Sequence, residues 1–390
     1  MRRIAIVFFD AGGGHRSAAC ALKSLVEEQY AWRVELVNLQ EILDDIDPLR
    51  SLARIRLQDG YNLLLRHGWT RFTPHVLSIL HGSIRARHRA IVQRFEREWS
   101  RLRPDLVLSV VPHFNRALAE SIRCAAPGAP FVTLLTDFAD YPPNFWIEPE
   151  SEYVICGTRR AEEQAIHLGV RRERCFLVSG MLLHPRFYRA RPLDRAAERR
   201  RLGLCPDLPT ALVLFGREGS SAMHRIALAL ERSPAPVQTI FLCGRNERLA
   251  ERIRRIPARG PTFVEGFTDR ADYYMSISDF LIGKPGPGSI SEALHFHLPV
   301  IVERNARTLP QERYNTDWIR ENRVGTVLED FRHIGDVVAG LLSGGELMRL
   351  RGRARAYENR AVFETAEILA RLMGAETLGG ELTKVQVASD

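Results

Sequence analysis

The stretch "DAGGGHRSAA", residues 10–19, contains the first residues whose types and spacing suit chemistry. It follows the apolar run "IAIVFF", which predicts a strand that ends near Asp10 and a helix that begins near Arg16. Three glycines in such a turn leave backbone N–H groups uncovered at a helix N-terminus, and an anion binds there. His15 closes the turn, and a histidine of near-neutral pKa can take a proton from a hydroxyl group. The alternative is a histidine that only begins a helix.

A second turn of this kind lies in "GFTDRADYYMSISDFLIGKPGPGSISEAL", residues 266–294. The apolar strand in this segment ends at Ile282, and glycines around two prolines form a rigid loop before the next helix. Gly288 and Ser289 lie at the start of that helix, where they can face a phosphate. Glu292 follows one turn later, where its carboxylate can accept hydrogen bonds from a vicinal diol such as a ribose.

Polar residues also follow the next predicted strand, in "TLPQERYNTDWIRENRVGTV". Gln311 and Glu312 come directly after Pro310, and adjacent amide and carboxylate groups suit a ligand that is rich in hydroxyls, such as a sugar. Helix capping is the alternative for this pair.

Short apolar runs alternate with longer amphipathic ones along the chain, and this pattern predicts βα repeats with mostly parallel sheets. Two doubly wound α/β domains would leave a cleft at the carboxyl ends of their strands. We expect an N-terminal domain over 1–190, a linker near 186–200, a C-terminal domain over 200–373 and a loose tail over 374–390. The predicted strands are 3–9, 33–38, 105–111, 130–136, 153–156, 175–179, 211–215, 238–243, 262–265, 279–282, 299–302 and 325–328.

The spacing of the strands breaks between residues 40 and 104, where Leu, Trp, Phe, His and Arg occur together on predicted helices. Two interpretations stay open for this insert. It is either a helical addition packed on the sheet, or a basic and aromatic surface that lies against an anionic membrane.

Composition narrows the class of protein. The 390 residues include 55 Lys and Arg against 47 Asp and Glu, a net charge of +8 that favours phosphate-bearing ligands or surfaces. No motif of a nucleic-acid-binding module accompanies this charge, so we expect no nucleic-acid partner. The first glycine turn has neither the lysine of a P-loop nor the GxGxxG spacing, which argues against a phosphotransferase and a dehydrogenase. Six scattered cysteines without a CxxC pair predict reduced thiols in the cytoplasm and no zinc site.

The order of "GGGH" after the first strand, "GFTD" before "KPGPGSISEAL", and "PQERYN" after the following strand resembles a known group. It is similar to the monogalactosyldiacylglycerol synthases and bacterial diacylglycerol glucosyltransferases, which are relatives of the MurG glycosyltransferases. The resemblance covers nearly the whole chain. It implies the GT-B fold, in which two Rossmann-like domains face a central cleft, with the acceptor bound by the N-terminal domain and the donor by the C-terminal domain.

The resemblance also implies an activity. We expect inverting transfer of galactose or glucose from UDP-galactose or UDP-glucose to a diacylglycerol-like lipid, without a catalytic metal or other cofactor. The protein would act in the cytoplasm, peripherally on the inner face of an anionic membrane. Two alternatives stay open: a polyprenyl-linked or soluble acceptor for the same donor, or a sensor that binds a nucleotide-sugar without catalysis.

Carried over by position, the resemblance assigns the donor site. Phe267 would meet the uracil through its backbone, Glu292 would hold the ribose, and Gln311 with Glu312 would contact the sugar. The loop "FGREGSS", residues 215–221, resembles a second diphosphate loop, in which Arg217 and Glu218 have no match and are expected to face solvent. The expected donor-binding residues are Gly13, Gly14, Gly216, Ser220, Phe267, Gly288, Ser289, Glu292, Gln311 and Glu312.

His15 becomes the expected general base on the acceptor side. In "LLTDFADYPPNFWI", residues 134–147, Asp137 either orients His15 or acts as the base itself, with a helix cap as the structural alternative. His113 and Asn115, in "VVPHFN", are expected to bind the acceptor. The stretch after Asp137 departs from the polar, histidine-bearing pattern of the group.

Overall fold

The computed structural model of the protein describes residues 1–10, 13–45, 82–141, 144–149, 151–189, 193–257, 259–306 and 308–374. Most of the expected insert over 40–104, namely 46–81, lies outside the described residues, as does 375–390 of the expected tail. Neither interpretation of the insert is therefore resolved, although its two ends form helices next to the first sheet.

The first sheet has six parallel strands in the order β2-β1-β3-β4-β5-β6. Its strand over Arg3–Phe8, second from one edge, alternates between two cores, because successive side chains of a strand point to opposite faces. Ile4 and Ile6 enter one apolar cluster, whereas Ala5 and Val7 enter the cluster on the other face. The strands are β1 (Arg3–Phe8), β2 (Arg33–Asn38), β3 (Leu106–Ser109), β4 (Phe131–Leu134), β5 (Tyr153–Cys156) and β6 (Cys175–Leu177).

Helices cover both faces of this sheet. The first of them buries Ala18, Leu22, Leu25 and Val26, which recur at helical spacing along one face. The helices are α1 (Gly14–Tyr30), α2 (Leu39–Leu43), α3 (His88–Leu102), α4 (Asn115–Ala125) and α5 (Arg159–His167), with a 3-10 turn at Arg172–Arg174.

The second sheet also has six parallel strands, in the order β12-β11-β10-β7-β8-β9. Leu212 of its central strand faces one core, and Ala211 with Val213 faces the other. The strands are β7 (Thr210–Leu214), β8 (Gln238–Leu242), β9 (Thr262–Glu265), β10 (Phe280–Gly283), β11 (Val300–Glu303) and β12 (Gly325–Leu328).

The second half of the chain has more helices than strands. It includes 3-10 turns at Pro185–Arg189 and Phe331–His333. The helices are α6 (Arg195–Arg201), α7 (Ala222–Leu230), α8 (Glu247–Arg254), α9 (Ala271–Ser276), α10 (Pro287–His295), α11 (Pro310–Asn322), α12 (Ile334–Leu342), α13 (Glu346–Arg355) and α14 (Ala361–Leu372).

All twelve predicted strands are present, and most of their ends differ by one or two residues from the prediction. The final helix adds a feature that periodicity does not reveal. Although α14 follows the second sheet in sequence, Ala361, Val362 and Leu369 enter the core of the first sheet, and the helix packs against α1. The expected domain boundaries 1–190 and 200–373 stay predictions. Helix α14 lies within the second range but packs on the first sheet.

The expected linker near 186–200 is largely helical instead of irregular. Its helix α6 has few apolar residues and is fixed by charge, because Arg195 and Arg199 bind Asp279 at 2.8 and 2.7 Å. Arg351 of α13 binds the same carboxylate at 3.1 Å, and the backbone N–H of Thr210 donates to it at 2.8 Å. One mostly buried carboxylate thus joins α6, α13 and the amino ends of two strands.

We expect Asp279→Asn to destabilise the protein by about 3 to 5 kcal/mol, because it leaves guanidinium groups buried without their anion. Chemical denaturation followed by circular dichroism measures the change. The matched control is Glu163→Gln, since Glu163 lies 4.0 Å from Arg160 with 66% of its side chain exposed, and such pairs contribute about 0 to 1 kcal/mol. Equal effects of the two substitutions would contradict a structural role for the Asp279 cluster.

Candidate functional site

The carboxyl edges of the two sheets face each other across a cavity of about 720 Å³ that is lined by both halves of the chain. In each sheet the strand order reverses once, between β1 and β3 and between β7 and β10. Ligands of doubly wound proteins bind at such switch points. The turns that follow these four strands contribute much of the cavity lining, so the topology brings together the segments singled out in the sequence.

The glycine turn lies at the cavity end of β1. Gly13 has a φ of +86°, a conformation that favours glycine, and Gly14 begins α1. The half-buried His15 lines the cavity, with Nδ1 3.1 Å from Oγ1 of Thr136 and its ring 5.7 Å from that of Trp146. Burial lowers the pKa of His15 to about 4, against the opposing effect of a hydrogen bond with the Val110 backbone. The imidazole is therefore neutral at pH 7.

Asp137 also lines the cavity, beside His15. Its Oδ2 accepts a hydrogen bond of 2.9 Å from the Trp146 indole, whereas the partner of His15 is the neighbouring Thr136. Burial raises the pKa of Asp137 to about 7, although the Trp146 hydrogen bond and Lys284 act in the opposite direction. The geometry thus favours two separate proton acceptors over a dyad in which Asp137 orients His15.

The loop that carries Trp146 is fixed by a buried carboxylate. Asp140 accepts backbone hydrogen bonds from Phe145 at 2.8 Å, from Trp146 at 2.7 Å and from Ile147 at 3.4 Å. Burial raises the pKa of Asp140 to about 6, against the opposing effect of these donors. Asp140 therefore positions the residues that contact Asp137 and His15.

The two residues expected to bind the acceptor occupy different positions. His113 lines the cavity, with a φ of +70° and its ring 4.1 Å from that of Phe145. Asn115 is buried outside the lining, where its amide accepts from Ser109 at 2.5 Å and donates to the Trp146 carbonyl at 2.7 Å. This corrects the expected acceptor contact of Asn115, because both ends of its amide are occupied inside the fold.

On the other side of the cavity, α10 directs its N-terminus towards the opening. Pro287 occupies the first turn, where a missing N–H costs little, and Gly288 and Ser289 follow it in the lining. Glu292 lines the cavity one turn later. Burial raises the pKa of Glu292 to about 7, and the nearby Arg186 partly opposes this rise.

Gln311 and Glu312 lie in the first turn of α11 and line the same side of the cavity. Oε1 of Glu312 accepts a hydrogen bond of 3.0 Å from Nζ of Lys284, which follows β10 directly. A Cβ on Gly286 would lie 3.4 Å from Cε of Lys284, so the ammonium group packs against the glycine loop. The pair therefore gives this wall both a cation and a hydrogen-bonding carboxylate.

The loop after β7 differs from its expected form. Gly216 lines the cavity with a φ of +78°, but Ser220 lies outside the lining, where its Oγ accepts from the N–H of Ala222 at 3.2 Å at the start of α7. Ser220 thus makes a local turn before α7, whose N-cap is Ser221, and its expected donor contact stays a prediction. Arg217 was expected to face solvent, yet it lines the cavity together with Phe267, whose side chain is 48% exposed.

Sequence reasoning assigned no role to several residues of the site. Lys284 and Arg217 both lie in glycine turns that had been recognised after strands. A basic residue in such a turn could have been identified from the sequence as a group that binds an anion. Trp146 and Thr136 carried no comparable signal, because their relation to His15 depends on how a loop folds back. Within the described part of the chain, no three His, Cys, Asp or Glu side chains lie together in a manner that suits a metal ion.

Comparison of the sequence with known proteins gives consistent relatives. The chain is 27% identical over 385 residues to a probable monogalactosyldiacylglycerol synthase, chloroplastic, of Glycine max, covering 95% of this chain and 69% of that protein. It is also 27% identical to monogalactosyldiacylglycerol synthase 1, chloroplastic, of Arabidopsis thaliana, covering 87% of this chain and 64% of the relative. The chain thus spans about two-thirds of the length of these relatives. No protein-family model matches it.

Solved structures share its fold. MurG of Acinetobacter baumannii superposes with a TM-score of 0.62 at 14% identity, covering 95% of this chain and all of the MurG chain. Anabaena Alr3699/HepE in complex with UDP-glucose superposes with a TM-score of 0.54 at 15% identity, covering 95% and 99% of the two chains. The expected fold class and the expected resemblance are therefore confirmed: the chain has the GT-B fold and is homologous to monogalactosyldiacylglycerol synthases.

Proposed function

We propose that the protein is an inverting, metal-independent glycosyltransferase that moves galactose or glucose from a UDP-sugar to a diacylglycerol-like lipid at a membrane surface. One observation carries this proposal: a single cavity has glycine turns and the carboxylates of Glu292 and Glu312 on one wall, with His15 and Asp137 on the other. The names of the relatives and the UDP-glucose complex of a structural neighbour support it.

The donor occupies the wall formed by the second sheet. Backbone N–H groups of Gly288 and Ser289, at the N-terminus of α10, bind the diphosphate, with the Lys284 ammonium beside them. The backbone of Gly216 and the glycine turn at Gly13 and Gly14 approach the same anion closely, since neither has a side chain in the way.

The rest of the donor is recognised through hydroxyl groups and the uracil ring. Glu292 accepts hydrogen bonds from the ribose hydroxyls, and the backbone of Phe267 meets the uracil. Gln311 and Glu312 bind the hydroxyls of the transferred sugar, whose orientation distinguishes galactose from glucose.

The reaction is a single displacement. The acceptor hydroxyl attacks the anomeric carbon from the face opposite UDP, His15 takes the hydroxyl proton, and the bond between the carbon and the diphosphate oxygen breaks. UDP leaves with the electron pair of that bond, and the configuration at the anomeric carbon inverts. His15 suits this role because it is neutral at pH 7, and His113 lies near enough to the same wall to contact the acceptor.

No metal ion is required in this scheme. The charge that develops on the leaving diphosphate is balanced by the helix N-terminus and by Lys284, which are fixed in place before the reaction.

We propose that the protein acts from the cytoplasm on the inner face of an anionic membrane, to which its net charge of +8 attracts it. The relatives, by comparison, are named as chloroplastic proteins. No helix in the described part of the chain is long and apolar enough to cross a membrane.

We expect the purified protein to transfer radiolabel from UDP-galactose or UDP-glucose into the lipid phase of vesicles that contain diacylglycerol and anionic phospholipid. EDTA should leave the rate unchanged, because cationic groups and N–H donors of the chain replace a metal. His15→Ala should lower the rate by about 100-fold to 10,000-fold, the usual contribution of a general base.

Other outcomes of this assay contradict defined parts of the proposal. Label that enters a polyprenyl-linked or soluble acceptor instead would contradict the lipid acceptor and keep the donor. Nucleotide-sugar binding without any transfer would indicate a sensor. Loss of transfer in EDTA that returns with added Mg²⁺ would contradict metal independence.

The pH dependence separates the two proton acceptors. With His15 as the base, kcat at saturating substrates stays level between about pH 8 and pH 6, because the neutral imidazole prevails throughout this range. With Asp137 as the base, kcat falls as the pH decreases through about 7, where its carboxylate becomes protonated. The assignment to His15 would be contradicted if kcat of the unmodified protein fell near pH 7 and the residual kcat of Asp137→Asn did not.

Binding of UDP should release protons from Glu292. Its pKa of about 7 in the empty site falls when ribose hydroxyls donate to the ionised carboxylate, so UDP binding weakens as the pH decreases below 7, by up to about tenfold per pH unit. Calorimetry in two buffers of different ionisation enthalpy measures the protons released. Glu292→Gln is the matched control, because its side chain cannot titrate and any protons that UDP itself releases are the same for both proteins. Equal proton release by both proteins would contradict the role of Glu292.

A further inference from the structure

Arg217 extends from the loop after β7 onto the glycine turn of the opposite domain. A Cβ atom on Gly13 would lie 2.8 Å from Cδ of Arg217, closer than real Cβ contacts allow. The stem of this arginine therefore packs on bare backbone at the point where α1 begins. Because both residues line the cavity, the contact joins its two walls at this point.

An aromatic ring fixes the direction of this side chain. The guanidinium carbon of Arg217 lies 5.6 Å from the centre of the Phe267 ring, and that of Arg245 lies 5.2 Å from the same centre. Such cation–π contacts orient a guanidinium group without neutralising its charge. Phe267 therefore holds Arg217 at the cavity while leaving its N–H groups for other partners.

The charge of Arg217 is also uncompensated. Lys284 pairs with Glu312 at 3.0 Å, and Arg245 lies 3.9 Å from Glu218, but Arg217 has no carboxylate at ion-pair distance among the residues that the structure describes. A planar guanidinium in a cavity, oriented and without an anion of its own, is suited to bind a phosphate group through two parallel hydrogen bonds.

We infer that Arg217 binds the donor diphosphate while it rests on the glycine turn, so that donor binding joins the two sides of the cleft. This inference deepens the proposed function and rests on its UDP-sugar donor. Arg217 adds a cation beside Lys284 at the leaving group, on the side that faces the first domain. The contact also constrains position 13 to glycine in addition to its backbone conformation, because a methyl group there would displace Arg217.

Calorimetric titration with UDP and with uridine tests the inference, because uridine has no diphosphate. We expect Arg217→Ala to weaken UDP binding by about 10-fold to 150-fold, the usual range for a hydrogen bond to a charged group, and to leave uridine binding unchanged. Arg217→Lys should restore part of the loss, since it keeps the charge without the planar fork.

The matched control is Arg245→Ala. Arg245 contacts the same aromatic ring but lies outside the cavity lining and faces Glu218, so its removal should leave UDP affinity within about twofold of the unmodified protein. Unchanged UDP affinity in Arg217→Ala, or an equal loss for UDP and uridine, would overturn the inference while the proposed function stands. Failure of the unmodified protein to bind UDP would instead overturn the proposed function, and the role of Arg217 with it.

A double-mutant cycle tests the contact across the cleft separately. Gly13→Ala should weaken UDP binding through the strain of its positive φ and through displacement of Arg217, and only the second effect depends on Arg217. We therefore expect the loss in Gly13→Ala to be smaller in an Arg217→Ala background. Strictly additive losses would show that Arg217 acts on the diphosphate without the glycine turn.

Discussion

Loss of water at the edge where the two sheets meet determines the electrostatics of the whole site. The same burial raises the pKa values of Asp137 and Glu292 to about 7 and lowers that of His15 to about 4, because it disfavours the charged form of each group. At neutral pH the histidine is uncharged and the two carboxyls are only partly ionised. The cavity lining also includes Lys284, which pairs with Glu312, and Arg217, which has no carboxylate partner among the described residues and therefore favours an anionic ligand.

Two segments of the chain cross between the domains, and they are bonded to each other. Asn359 donates to the Met181 carbonyl at 2.9 Å, and the backbone N–H of Arg360 donates to Oγ of Ser179 at 2.6 Å. Glu364 of α14 accepts from the same serine at 2.9 Å. The same final helix, α14, packs against α1, the helix that carries His15 at its N-terminus, so the crossing segments and the glycine turn belong to one packed unit.

The sequence was sufficient for the strands and for most of the cavity wall that the second sheet forms. Each element of that wall is a strand, a short turn and a helix, so apolar periodicity and glycine position locate the lining residues without knowledge of the tertiary structure. Gly288, Ser289, Glu292, Gln311 and Glu312 were identified in this way. Ser220 was assigned to the diphosphate in the same way, and because a serine just before a helix suits a local turn and a phosphate equally well, this assignment stays a prediction.

The cavity wall that the first sheet forms could not be predicted to the same extent, because hydrogen bonds between residues distant in sequence hold its loop in place. In the described part of its loop around Trp146, the buried carboxylate of Asp140 accepts hydrogen bonds from the backbone N–H groups of Phe145 and Trp146. Asn115 serves the same loop by binding the Trp146 carbonyl. A network of this kind depends on residues that are distant in sequence. Replacing one of them leaves its buried partner without a hydrogen bond unless another group supplies one. The polar network therefore determines where Trp146 lies, and Trp146 in turn donates the hydrogen bond that holds the carboxylate of Asp137 at the cavity.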